Sequence, residues 1–215
     1  NRPPTMPLAT WEHAFTGYTT IVLEENINGE WLHWPFTVKP NGLTPGYGIK
    51  HPSLTEYVYL ILEWIKTNHQ NYTPNASPNV QSNITAHTQS DDMDIIKTLV
   101  NSIIPPSDKF FSNAGEMLLE AALILAKNAD YTPLKSVLDK LSGWLSLVSK
   151  DLLMTDTELR RYYILADLGV VTIRGMIDDD VITQGFNVIN KHDYRNWLIL
   201  HGATDITANS AIVQG

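Results

Sequence analysis

Arg160, Asp167 and Arg174 stand seven residues apart in a stretch otherwise rich in Leu, Ile, Val and Tyr, and at 3.6 residues per turn they share one face of a helix. Charge on so apolar a helix has to be paired or reach solvent. Two roles fit that spacing. One is an ionic stripe, or three separate surface charges. The other is a cavity wall in which Arg174 or Arg160 orients an anionic group, since the guanidinium fork matches a carboxylate. Arg174, Asp167 and Arg160 are therefore the candidate substrate-binding residues.

Other chemistry is thinly represented. Asp178-Asp179-Asp180 could ligate a hard cation, but the run also reads as a solvated turn that ends the helix. The seven histidines (His13, His33, His51, His69, His87, His192 and His201) are scattered singly, and none forms H-x-x-x-H. There is no cysteine, which excludes disulfides, thiolate catalysis and Cys-type zinc or iron–sulfur sites. No G-x-S-x-G nucleophile elbow is present. Gly42, Gly46 and Gly48 lie in a proline-containing loop and do not form the G-x-G-x-x-G that lets backbone amides approach a pyrophosphate. The formal charge of −8 and the lack of any Lys/Arg cluster beyond Arg160-Arg161 argue against nucleic acid. No run of apolar residues is long enough to span a membrane.

The elements that would carry these residues are predicted from pattern. Asn28-Gly29 separates two β-branched and aromatic segments, which predicts a hairpin with strands near 19–26 and 30–38. Residues 39–52 read as a loop. Ser53 and Glu56 match a capping box, and Tyr57, Leu60, Ile61 and Trp64 recur at helical spacing, so a helix is predicted over about 54–68. Residues 67–90 are Asn, Thr, Ser, Gln and Pro in the main, which predicts a flexible loop.

Helices are then predicted over 93–104, 113–128, 132–153 (opened by Thr132-Pro133), 155–177 (opened by Thr155 and Glu158) and from Asn190 or Lys191 to His201, with Gly202 just past its end. The expected fold is α+β and helix-dominant: an N-terminal antiparallel hairpin, residues 1–52, followed by five or six helices in a region 53–215. Aromatic residues near the hairpin (Trp11, Phe15, Trp31, Trp34, Phe36) and on the first helix (Tyr57, Tyr59, Trp64) are expected to pack in a core, or to line a substrate wall.

Three stretches resemble a family of large bacterial FAD-dependent oxidoreductases, often described as NAD(P)-binding proteins, within the flavin amine oxidase and phytoene-desaturase-like superfamily. The first is Pro7–Phe15, running on to Ile21-Val-Leu-Glu and Trp34-Pro-Phe. The second is Asp167–Met176. The third is Gly185–Asn190 with Asp193–Leu198, His201–Asp205 and Ala211–Gly215. They occur in the family's order, with a weaker match over 67–150.

The resemblance implies the substrate domain inserted between two halves of a flavin-binding domain, acting on an amine, an amino acid or an unsaturated lipid. FAD and the catalytic groups would belong to polypeptide outside residues 1–215, and the segment alone should bind no flavin. Its expected partners are the remainder of that flavoprotein and a small-molecule substrate, with a cytoplasmic location. Two alternatives stand beside it: a helical binding or interaction module without catalysis, and one chain of a proteolytically processed flavoenzyme.

Overall fold

A computed structural model of the chain describes residues 20–37, 52–69 and 108–214. The chain divides into two compact units, residues 1–50 (with Gly215) and His51–Gln214.

In the first unit, β1 (Thr20–Ile27) and β2 (Glu30–Thr37) form an antiparallel pair running from Ile27↔Glu30 to Thr20↔Thr37 without a bulge. Asn28 and Gly29 both take positive φ, 54° and 88°, the geometry whose twist matches that of the strands it joins. The Asn26 side chain accepts from the Gly29 amide at 3.1 Å and ties the turn down. One face of the pair carries Trp34, buried and set against Phe36 at 4.9 Å; the other carries exposed Val22, Glu24, Trp31 and His33. The predicted aromatic core thus holds Trp34 but leaves Trp31 in solvent at 65% exposure.

The second unit is helical. Its first helix, α1 (Leu54–His69), opens with the predicted capping box: the Ser53 amide donates to Glu56 Oε2 at 2.6 Å and the Glu56 amide to Ser53 Oγ at 3.2 Å. Its buried face is offset from the expected one. Val58, Leu62, Ile65 and His69 are buried, whereas Tyr57, Leu60 and Trp64 are exposed. The next described helix, α2 (Asp108–Lys127), starts earlier than predicted. The expected helix over 132–153 is two: α3 (Tyr131–Leu145) and α4 (Lys150–Thr155), because Ser149 caps a new start by accepting from the Leu152 amide.

The long helix α5 (Thr157–Asp178) is capped by Asp156, which accepts from the Leu159 amide, and not by the predicted Thr155; the Thr155 hydroxyl bonds back to Asp151 and Leu152 carbonyls. After the short α6 (Val181–Gln184) and a 3-10 turn (Phe186–Ile189), α7 (Tyr194–Leu200) begins later than expected, at the Asp193 cap. Gly202 follows it at φ 90°, with its amide on the Ile199 carbonyl and the Ala203 amide on Leu198, a Schellman ending. Two single-turn helices close the chain, α8 (Asp205–Ala208) and α9 (Ala211–Gln214). The predicted helix over 93–104 and nearly all of the 67–90 loop lie outside the described residues.

The architecture is helix-dominant with the hairpin first, and five helices among the described residues reach seven residues or more. In the second unit α1 packs on α2 and α5, and α3 packs on the same two, so four helices close a ring. Leu62, Leu119, Leu134, Leu138, Leu141 and Val170 meet inside it, all fully or almost fully buried. Because α5 touches α1, α3, α4, α6, α7 and α8, it is buried on most of its circumference, Arg160 and Asp167 included.

Candidate functional site

The seven-residue repeat on α5 is split between two environments. Arg160 is 1% exposed and Asp167 2%, which places both inside the helical unit. Asp167 Oδ2 accepts from the Thr204 amide at 3.1 Å and from the Thr204 hydroxyl at 2.9 Å. Thr204 is also the cap of α8, accepting from the Thr207 amide. A single carboxylate therefore fixes the start of α8.

Beside it lies Tyr163, whose phenol is pushed above its ordinary value by burial and by the Asp167 charge, against a lowering hydrogen bond with Thr204. The tyrosine is held neutral.

Arg174 faces elsewhere. Its Nε lies 2.9 Å from Asp139 Oδ1 on α3, its Nη1 donates to Ser142 Oγ at 3.2 Å, and its side chain keeps 21% exposure. A Cβ added at Gly202 would sit 3.4 Å from Nη1, so the guanidinium also lies against the α7–α8 turn. Lys135, one turn before Asp139, pairs with Asp178 at the end of α5. Lys135, Asp139 and Ser142 thus make a polar seam on α3 that matches Arg174 and Asp178. The charge of Arg174 is balanced across helices and not along the α5 stripe.

Sequence reasoning missed a third group. Asp179 Oδ2 accepts from the Trp197 indole at 2.6 Å and lies 3.1 Å from His201 Nε2, while His201 Nδ1 is 3.7 Å from Asp178. The indole hydrogen bond holds the Asp179 carboxyl below its usual range; partial desolvation opposes it, and His201 and His192 add to the lowering. Asp180 is lowered too, first by the Gln184 side chain and then by Thr183. The rings reach α5 because position 175 is glycine. A Cβ there would fall 2.9 Å from His201 Cδ2 and closer still to the Trp197 ring. The available signal was a pair of i, i+4 spacings at two helix ends, Gly175–Asp179 and Trp197–His201.

This arrangement is suited to holding rather than to proton transfer. A general base needs one ring nitrogen turned to the reacting group, and both nitrogens of His201 face carboxylates. The Asp178–Asp180 run works as a helix terminus with a histidine and an indole docked on it. No group of three or more His, Asp or Glu is placed to hold a metal ion among the described residues.

The described strands are joined by a tight turn, and no glycine-rich strand-to-helix passage is present in the sequence. No helix of the described residues is long and apolar enough to cross a membrane. Comparison with protein-family models, with curated proteins and with solved structures found no match.

Proposed function

We propose that this chain is the substrate-domain portion of a larger FAD-dependent oxidoreductase acting on an amine, an amino acid or an unsaturated lipid, with FAD held by polypeptide outside residues 1–215. The observation that supports it is the meeting of two stretches that resemble the flavoprotein family. Asp167, Arg174 and Gly175 of the second stretch contact Thr204, Gly202, Trp197 and His201 of the third. Residues recognised in separate pieces of sequence thus form one packed unit around α5.

In this reading FAD supplies the redox chemistry and the chain supplies shape and charge. Arg174 is the residue offered to an anionic substrate group, because it alone of the three keeps an edge in solvent, whereas Arg160 and Asp167 lie in the interior. An exposed row on α1, Tyr57, Leu60 and Trp64, favours the second reading, a helical interaction module without catalysis.

The test is direct. The complete protein should carry flavin whose absorbance bleaches on anaerobic addition of a substrate from a panel of amines, amino acids and carotenoid-like lipids. Residues 1–215 alone, incubated with FAD and desalted, should be colourless. Stoichiometric flavin on the isolated chain would sink the reading, as would a complete protein without bound flavin.

A further inference from the structure

The Asn28-Gly29 turn sets an electrophile beside a nucleophile. Asn28 carries an amide carbon, Cγ, and the Gly29 nitrogen is the next main-chain nitrogen along the chain. A bond between the two closes a five-membered ring. At most positions the following residue hinders that closure with its own side chain. Gly29 has none, and a Cβ built there would meet nothing within 4 Å. Both residues are exposed, so water reaches them. Asn26, two positions earlier, is no rival, because the branched side chain of Ile27 crowds the nitrogen that would have to attack.

The fold opposes the same step. The Gly29 amide donates its proton to Asn26 Oδ1 at 3.1 Å. That bond must break before the nitrogen can turn towards Cγ and give the proton up. The positive φ angles, 54° at Asn28 and 88° at Gly29, fix the peptide between them, and the Ile27↔Glu30 pair closes the turn on both sides. Asparagine and glycine are the residues that accept this left-handed geometry, so the turn and the reactive pair come from the same two positions. Ring closure therefore waits on local opening, and its rate follows the fraction of chains in which the turn is open.

We propose that Asn28 is a self-modification site at which the chain deamidates, and that the Asn26 side chain sets the rate. The Gly29 nitrogen bonds to Asn28 Cγ, the Cγ–Nδ2 bond breaks, and ammonia leaves with the proton that the nitrogen gives up. Water then opens the succinimide, its hydroxyl adding to one carbonyl carbon and its proton returning to the nitrogen. Opening at Cγ leaves aspartate at position 28. Opening at the main-chain carbon leaves isoaspartate, in which the chain runs through the former side chain. Either product adds a negative charge next to a turn that Glu30 already borders. The second also lengthens the main chain by one carbon inside a two-residue connection, which the Ile27↔Glu30 closure does not fit.

The test incubates the purified chain in mildly alkaline buffer and follows the fragment that a glutamate-specific protease cuts out between Glu25 and Glu30. That fragment leaves out the other Asn-Gly pair, Asn41-Gly42. Tandem mass spectrometry locates the new acid, and an isoaspartyl methyltransferase labels the isoaspartate. Wild type should accumulate both acids at position 28, more slowly than the same chain held in urea. Asn26→Ala removes the acceptor of the Gly29 amide and should speed conversion roughly fivefold. Asn26→Asp keeps an acceptor and should convert at close to the wild-type rate, a rescue that a merely unfolded hairpin would not show. Absence of either acid at position 28 in wild type overturns the proposal, as does a wild-type rate equal to that in urea. So does Asn26→Ala at the wild-type rate, or Asn26→Asp as fast as Asn26→Ala.

Discussion

Asp167 within α5 and Asp179 just past its end hold the same C-terminal segment, yet they do so under different physical regimes. Asp167 is 2% exposed and answers a backbone amide and a hydroxyl of one residue, Thr204. The side chain of Asp179 is 31% exposed and answers two aromatic rings, Trp197 and His201. In the first case desolvation makes each missing partner costly. In the second, solvent screens the charge, and the fit of rings against Gly175 carries more of the attachment. Burial, and not the residue type, sets what each carboxylate is worth.

The largest expected effect is therefore at the buried member. Asp167→Ala leaves the Thr204 amide and hydroxyl without their acceptor and should cost about 3 kcal/mol, read as a fall in the urea midpoint. A loss below about 1 kcal/mol would erase the contrast between the two carboxylates. Gly175→Ala comes next. The new methyl meets Trp197 and His201, so overpacking should cost about 2 kcal/mol and free the indole, seen as a shift in tryptophan fluorescence.

Asp179→Asn should cost less, about 1 kcal/mol at neutral pH, with a signature in acid. The folded carboxyl titrates below its ordinary value, so its stabilising contribution is complete above that ordinary value and is lost as pH falls from there through the lower folded value. The gap in melting temperature between wild type and Asp179→Asn should then close below about pH 4. A gap constant from pH 7 to pH 3 would mean that titration of Asp179 contributes nothing.

The smallest effect is expected at Arg174, whose partner Asp139 keeps 47% side-chain exposure. Arg174→Met should cost no more than ~1 kcal/mol. Arg160→Met is the control, because that guanidinium is 1% exposed and its replacement acts on the interior. If the complete protein is the proposed flavoenzyme and binds an anionic substrate through Arg174, its KM rises on Arg174→Met while thermal stability holds. Equal changes in KM at both positions would remove the substrate role.

The hairpin and the first helix were legible because their signals are local. Asn28-Gly29 carries its own turn geometry, and Ser53 with Glu56 closes a capping box within four residues. The same kind of reading misjudged residues 146–153, where one helix ends at Leu145 and Ser149 caps the next, in a stretch with no proline or glycine between Gly143 and Asp156 to mark the break. It also misplaced the buried face of α1. Tyr57, Leu60 and Trp64 keep helical period as well as Val58, Leu62 and Ile65 do, and periodicity cannot choose between two apolar faces of one helix.

By itself the sequence determined the helix-dominant class, the leading hairpin, and the shared helix of Arg160, Asp167 and Arg174, since each rests on interactions within a few residues along the chain. The tertiary structure alone decided their partners. Thr204 meets Asp167 across 37 positions, Ser142 meets Arg174 across 32, and His201 meets Asp179 across 22. Such pairings depend on how four helices close a ring and where the chain returns to α5. A pattern of spacings holds no record of that return, because the free energy that selects it comes from burying surfaces distant in sequence.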